Sequence, residues 1–156
     1  MQAASAGEAY LAVSLARNLK PERPLKVLVT STTAQGMDIL KSGLTPDRVS
    51  RNMDLNITWF PFDMPDIIRQ AGAVISPKVL VLLETELWPG LLHCLKQKGA
   101  RILVVNARMS KKALAGITKQ AAYGNTWPRI LILDCFRAGP GTGFRWFQAI
   151  KGQNHA

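Results

Sequence analysis

A doubly wound α/β domain on a parallel sheet is the fold this sequence predicts, and three observations predict it. Short β-branched, apolar runs alternate with stretches of helical periodicity along the chain. Several of those runs are apolar without interruption, the pattern of parallel strands covered on both faces. The turns that follow them gather hydroxyl, carboxylate and glycine residues, as expected at the carboxyl ends of strands in open α/β sheets.

Taken in order, the chain opens on Met1-Gln2-Ala3-Ala4-Ser5, and a helical pattern from Glu8 to Asn18 follows with no strand recognised before it. Leu25 to Thr30, with Val27, Val29 and Thr30 β-branched, reads as a strand, and Ala34 to Leu40 as a helix. Asn56 to Phe60 is the next strand, and Met64 to Ala73 the next helix. The unbroken run Val79 to Leu83 then leads to a helix over Pro89 to Lys98, with Pro89 suited to its first turn. Ile102 to Val105, a helix over Lys111 to Tyr123 and a last strand Ile130 to Leu133 complete the alternation. The glycine- and proline-rich stretch Ala138 to Gly143 is a loop.

A chain of 156 residues amounts to about one domain. It can bury roughly 70% of its unfolded surface, enough for a core without disulfides or metals. A hydrophobic fraction of 47% excludes a disordered tail, a collagenous repeat or a coiled coil. Cys94 and Cys135 form no disulfide framework and no C-x-x-C pair, so a reducing compartment is the default and no zinc site is implied. No run of eighteen apolar residues and no signal-peptide pattern occurs, which makes the chain soluble or peripheral.

The net charge of +10 is unevenly placed. Between Leu87 and Leu133 stand eight Lys and Arg (Lys96, Lys98, Arg101, Arg108, Lys111, Lys112, Lys119 and Arg129) and no carboxylate. Such a half favours polyanions, whether nucleic acid, anionic lipid headgroups or a phosphorylated substrate, unless it is simply a solvated basic face.

Several motifs bear on chemistry. Gly139, Gly141 and Gly143 form a GxGxG run, but Phe144 stands where a dinucleotide fingerprint needs its last glycine. His93 and Cys94 are sequence neighbours, so on a helix they point about 100° apart and make no nucleophile–base pair. Ser5-Ala6-Gly7-Glu8 has the spacing of a capping box. The same four residues also suit a site: Gly7 lets a ligand approach the backbone, and Glu8, at a helix N-terminus, is kept ionised as a general base must be.

Glu84 and Glu86 follow an apolar strand and point the same way if that strand continues; either one could instead complement the next helix dipole. Ser31 and Thr32, within Thr30-Ser31-Thr32-Thr33, bring hydroxyls to a third strand end. Arg108, in Asn106-Ala107-Arg108-Met109-Ser110, could hold a phosphate or carboxylate at a fourth. Four polar turns on one sheet edge make a crevice, the usual place for a ligand.

Five segments together carry a resemblance. They are Gln2 to Glu8, Val29 to Gly36, Phe60 to Pro65, Glu84 to Pro89 and Asn106 to Ser110, in that order and spacing. Over about Gln2 to Leu133 the chain resembles the N-terminal half of the 3-deoxy-D-manno-octulosonic acid (Kdo) transferases of lipopolysaccharide synthesis. The resemblance implies a GT-B glycosyltransferase of two Rossmann-like domains that moves Kdo from CMP-Kdo to a lipid A precursor. No metal or other cofactor is implied.

Residues 1–133 would be the acceptor-binding domain, and 134–156 a divergent C-terminal tail in which Phe147 to Ile150 partly recovers the family pattern. The CMP-Kdo-binding donor domain would be absent. Glu8 matches the family's general base, with Ser5, Gly7, Ser31, Thr32, Glu84, Glu86 and Arg108 on the acceptor side. The implied partners are the lipid A precursor and the anionic inner-membrane surface, with this anchorless form peripheral at the cytoplasmic face. Three departures accompany the likeness: an apolar anchor and the first strand are missing, Gln2 replaces the family's common His, and Asp134 to Gly143 diverges. The half alone is expected to be inactive. The alternative is a nonenzymatic basic module binding anionic lipid or nucleic acid, although the carboxylates of Glu84 and Glu86 disfavour nucleic acid.

Overall fold

The computed structural model describes residues 1–84, 88–106 and 130–133, the last four by their backbone. These divide into two compact units, with the boundary between Pro61 and Phe62. The expected helix over Lys111 to Tyr123 and the expected loop at Ala138 to Gly143 lie outside the described residues.

The first unit begins with a two-residue strand, β1 (Gln2–Ala3), then α1 (Ala6–Asn18), β2 (Leu25–Ser31), α2 (Ala34–Gly43), a single 3₁₀ turn (Pro46–Arg48) and β3 (Met53–Trp59). The expectation that no strand precedes α1 is thereby corrected. β1 pairs in parallel with β2, Gln2 opposite Thr30 and Ala3 opposite Ser31. Two residues are too few to show a period of two, and Gln2 is polar although almost wholly buried. The side-chain oxygen of Gln2 accepts the Thr30 hydroxyl, which gives half of its amide a partner.

β2 and β3 are parallel in full register from Leu25 against Met53 to Ser31 against Trp59. β3 therefore starts three residues before the expected Asn56, because Met53 to Leu55 already pair. Phe60 has left the strand, although its N–H still reaches the Ser31 carbonyl at 2.9 Å. On β2, residues of both parities are buried at Val29, Thr30 and Ser31, as in a strand covered on two faces.

α1 packs through small residues, Ala9, Ala12, Val13 and Ala16, at the i, i+3, i+4, i+7 spacing of one face. Against it lies the end of α2, where a Cβ on Gly43 would stand 2.6 Å from a Val13 methyl. Glycine at 43 is what permits that approach. The Arg17 Nε–H donates to the Gly43 carbonyl at 2.9 Å, satisfying an orphan carbonyl where α2 ends. α2 thus runs three residues past the expected Leu40.

The second unit holds α3 (Pro65–Ile75), β4 (Val79–Leu83), α4 (Pro89–Gln97), β5 (Arg101–Val105) and β6 (Ile130–Leu133). β4, β5 and β6 are successive parallel neighbours, with Leu80 opposite Ile102 and Ile102 opposite Ile130. Leu80, Leu82, Leu92, Leu95, Ala100, Ile102 and Val104 form one buried cluster between β4, β5 and α4. All the described strand pairings are parallel. The architecture is the predicted α/β, Rossmann-like one.

Candidate functional site

Glu8 is the site residue whose surroundings are most completely defined. Ser5 adopts an extended conformation as N-cap of α1, and its Oγ accepts the Glu8 N–H at 3.3 Å. The Ser5 hydroxyl in turn donates to Glu8 Oε1 at 3.1 Å. Glu8 Oε2 accepts the Ala4 N–H at 2.7 Å, so the carboxylate reaches back past the cap residue itself. The capping box of the sequence is present in this shifted form.

These two donors and the positive end of α1 favour negative charge on a carboxylate that burial leaves only 3% exposed. Gly7, one residue earlier, is exposed, and a Cβ there would make a single ordinary contact, at 3.8 Å to Ser5 Oγ. The backbone beside the carboxylate is open to approach.

The end of β2 and the two residues after it supply four consecutive hydroxyls, which turn two ways. Thr30 donates to the Gln2 side chain and Thr32 to the Ala4 carbonyl at 2.7 Å, both on the β1 segment. Ser31 and Thr33 turn to α2: Thr33 Oγ1 caps the helix by accepting the Gly36 N–H at 3.1 Å. Ser31 is fully buried, and its Oγ would lie 2.2 Å from a Cβ on Gly36. Of the predicted acceptor residues, then, Ser5, Gly7 and Thr32 gather around Glu8 and Ala4. Ser31 lies beneath α2.

In the second unit β4 stops at Leu83, and Glu84 takes a left-handed conformation, φ 59°. Its N–H donates to the Val105 carbonyl at 2.8 Å. β4 therefore ends before Glu84, which does not continue the strand. Asn106, which follows β5, has the same left-handed φ of 59°. Glu86 and Arg108 lie outside the described residues. His93 and Cys94 behave as expected of neighbours on α4. The Cys94 thiol faces the Ile68 carbonyl at 3.7 Å, while a His93 ring nitrogen meets Gln97 at 3.0 Å.

Asp63 has a role that the sequence reading did not assign. Its two carboxylate oxygens accept the Gly90 and Leu91 N–H groups at 2.9 and 2.8 Å, capping α4 from outside that helix. Trp88, at the N-cap position, makes no side-chain cap, and a Cβ on Gly90 would stand 2.7 Å from Asp63 Oδ1. The available signal was negative: a helix starting Trp-Pro-Gly has no local acceptor for its second and third amides. Asp63→Ala should lower stability by about 1–2 kcal/mol, read as a fall in the urea midpoint, with Asp63→Asn losing less. Equal midpoints for the parent and the alanine variant would remove the cap from the energetics of this unit.

Among the described residues no group of three His, Cys, Asp or Glu could hold a metal ion. Among them, too, no helix is long and apolar enough to cross a membrane.

The family model described as 3-deoxy-D-manno-octulosonic-acid transferase (kdotransferase) matches residues 1–133. A 3-deoxy-D-manno-octulosonic acid transferase of Haemophilus influenzae is 30% identical over 135 residues, 85% of this chain and 30% of that protein. One of Bordetella pertussis is 35% identical over 114 residues, 73% of this chain and 26% of its own length. A bifunctional glycosyltransferase/methyltransferase of Fusobacterium nucleatum is 30% identical over 109 residues, 70% of this chain and 16% of that protein. The chain thus spans less than a third of the length of these relatives. No solved structure matches it.

Proposed function

The chain belongs to the 3-deoxy-D-manno-octulosonic-acid transferase family, and from that premise we propose that it is the acceptor-side half of a Kdo transferase. The reaction is transfer of Kdo from CMP-Kdo to a hydroxyl of a lipid A precursor, in a GT-B enzyme whose other domain holds the donor. The observation that supports this reading best is the buried Glu8 carboxylate, held by Ser5 and the Ala4 amide at the end of β1.

In this mechanism Glu8 takes the proton of the acceptor hydroxyl as that oxygen attacks the anomeric carbon. The bond from that carbon to the CMP phosphate breaks, and CMP leaves with the electron pair. Removing a proton in step with attack is the work of a general base. The open backbone at Gly7 gives the acceptor sugar room beside the carboxylate. Glu84, Glu86 and Arg108 are the other acceptor-side residues of this reading, Arg108 being suited to a phosphate.

The basic half of the chain fits the same substrate. Its lysines and arginines meet the acceptor's phosphates and the anionic cytoplasmic face of the inner membrane. Vesicles that contain lipid A precursor should therefore bind the chain, and binding should weaken steeply with salt, because exposed charges are screened over about 8 Å at physiological ionic strength. Each basic residue at such a surface contributes about 1 kcal/mol, so replacing Lys111 and Lys112 with Glu should weaken binding at least about tenfold. Flotation across a salt series, with single-stranded nucleic acid as competitor, measures this. Salt-independent binding would point to inserted apolar surface, and preference for nucleic acid would favour the nonenzymatic alternative.

A further inference from the structure

We propose that Thr32 is a positioning residue for Glu8, acting through Ala4; this rests on the reading of Glu8 as the general base. The Thr32 hydroxyl donates to the Ala4 carbonyl at 2.7 Å, across 28 residues of chain. That carbonyl belongs to the peptide joining Ala4 to Ser5. Anchoring it fixes the plane from which the Ser5 side chain departs, and with it the hydroxyl that donates to Glu8 Oε1. On the other side of the same residue, the Ala4 N–H donates to Glu8 Oε2 at 2.7 Å. The Ala4 and Ser5 donors to the carboxylate therefore hang on one short segment, and Thr32 ties that segment to the end of β2.

The tie matters because Ala4 and Ser5 have already left the sheet. β1 ends at Ala3, so strand pairing no longer sets the orientation of the next two peptides. Thr32 is exposed, unlike Thr30 and Ser31 before it, and its side chain fills no core. An exposed hydroxyl spent on one backbone carbonyl contributes geometry more than burial. A general base displaced by even an ångström loses much of its effect, because rate depends on a near-attack arrangement. As a hydroxyl, Thr32 also keeps acceptor capacity for a ligand while it donates to Ala4.

The test uses the chain itself, labelled with nitrogen-15. Glu8→Gln first identifies the Ala4 amide resonance by the shift it causes there. Thr32→Val, which keeps the shape and removes the donor, should then move the Ala4 and Ser5 amide resonances and speed Ala4 hydrogen exchange about fivefold to tenfold. Amides of β2 and β3 should stay in place. Thr32→Ser should restore the parent pattern at Ala4, a rescue that loss of packing alone would not show. Unchanged Ala4 shift and exchange in the valine variant would overturn the proposal, as would equal behaviour of the serine and valine variants. Should the valine variant not fold, Thr32→Ala against Thr32→Ser makes the same comparison, and equal Ala4 protection in the two overturns it. None of these readouts depends on turnover, so the outcome is separate from the kinetic test of Glu8.

Discussion

Glu8→Gln, in a polypeptide that joins these residues to a donor domain of the family, should lower Kdo transfer about 10²–10⁴-fold. That corresponds to about 3–5 kcal/mol of barrier. The fold should survive, because the amide oxygen still accepts the Ala4 N–H and the Ser5 hydroxyl can rotate to accept from the amide nitrogen. What the amide cannot do is take a proton from the acceptor. Kinetics of CMP release, with acceptor affinity measured separately, distinguish the two roles: turnover should collapse while affinity stays within about twofold. Glu8→Ala supplies the contrast, since it removes the base and both capping bonds and should also cost roughly 1 kcal/mol of stability. Near-parent turnover by the glutamine variant would leave Glu8 as a helix cap and nothing more.

A polypeptide of these 156 residues alone should release no CMP above background when given CMP-Kdo and a lipid A precursor. Sugar transfer needs the donor's anomeric carbon in line with the acceptor oxygen, and holding two reactants so is worth roughly 7–11 kcal/mol. In the two-domain plan each substrate is held by a different domain, and Glu8 with no donor beside it has nothing to align. Addition of a separately made donor domain at high concentration should restore some turnover. Clear turnover without it would place a CMP-Kdo site within these residues and overturn the assignment of this half to the acceptor.

Much of this protein is written locally in its sequence. β4 and β6 fall on the predicted residues, and α1, α3 and α4 start or end within two residues of expectation. Unbroken apolar runs and 3.6-residue periodicity are properties of neighbours in sequence, so they are legible without the fold. The start of α1 was legible for the same reason, because Ser5 and Glu8 are three residues apart and cap one another directly. The first three residues of β3 are not legible in this way, because Met53 to Leu55 become a strand only by lying beside Leu25 to Val27.

The sequence by itself determined the α/β class, the order of the described strands and helices from α1 onward, and Glu8 as a carboxylate at a helix N-terminus. Only the tertiary structure decided how the short segment that holds that carboxylate is itself anchored. That Gln2 and Ala3 form a strand depends on Thr30 and Ser31. That α4 is capped depends on Asp63, 27 residues before Gly90. That Ala4 is anchored depends on Thr32. The end of β4 at Leu83, which separates Glu84 from the strand face, is set by a left-handed residue bonded to Val105. The α4 cap joins the loop before α3 to a helix N-terminus; the others lie where parallel pairing brings distant segments together, and register is a property of paired strands that no single stretch of sequence contains.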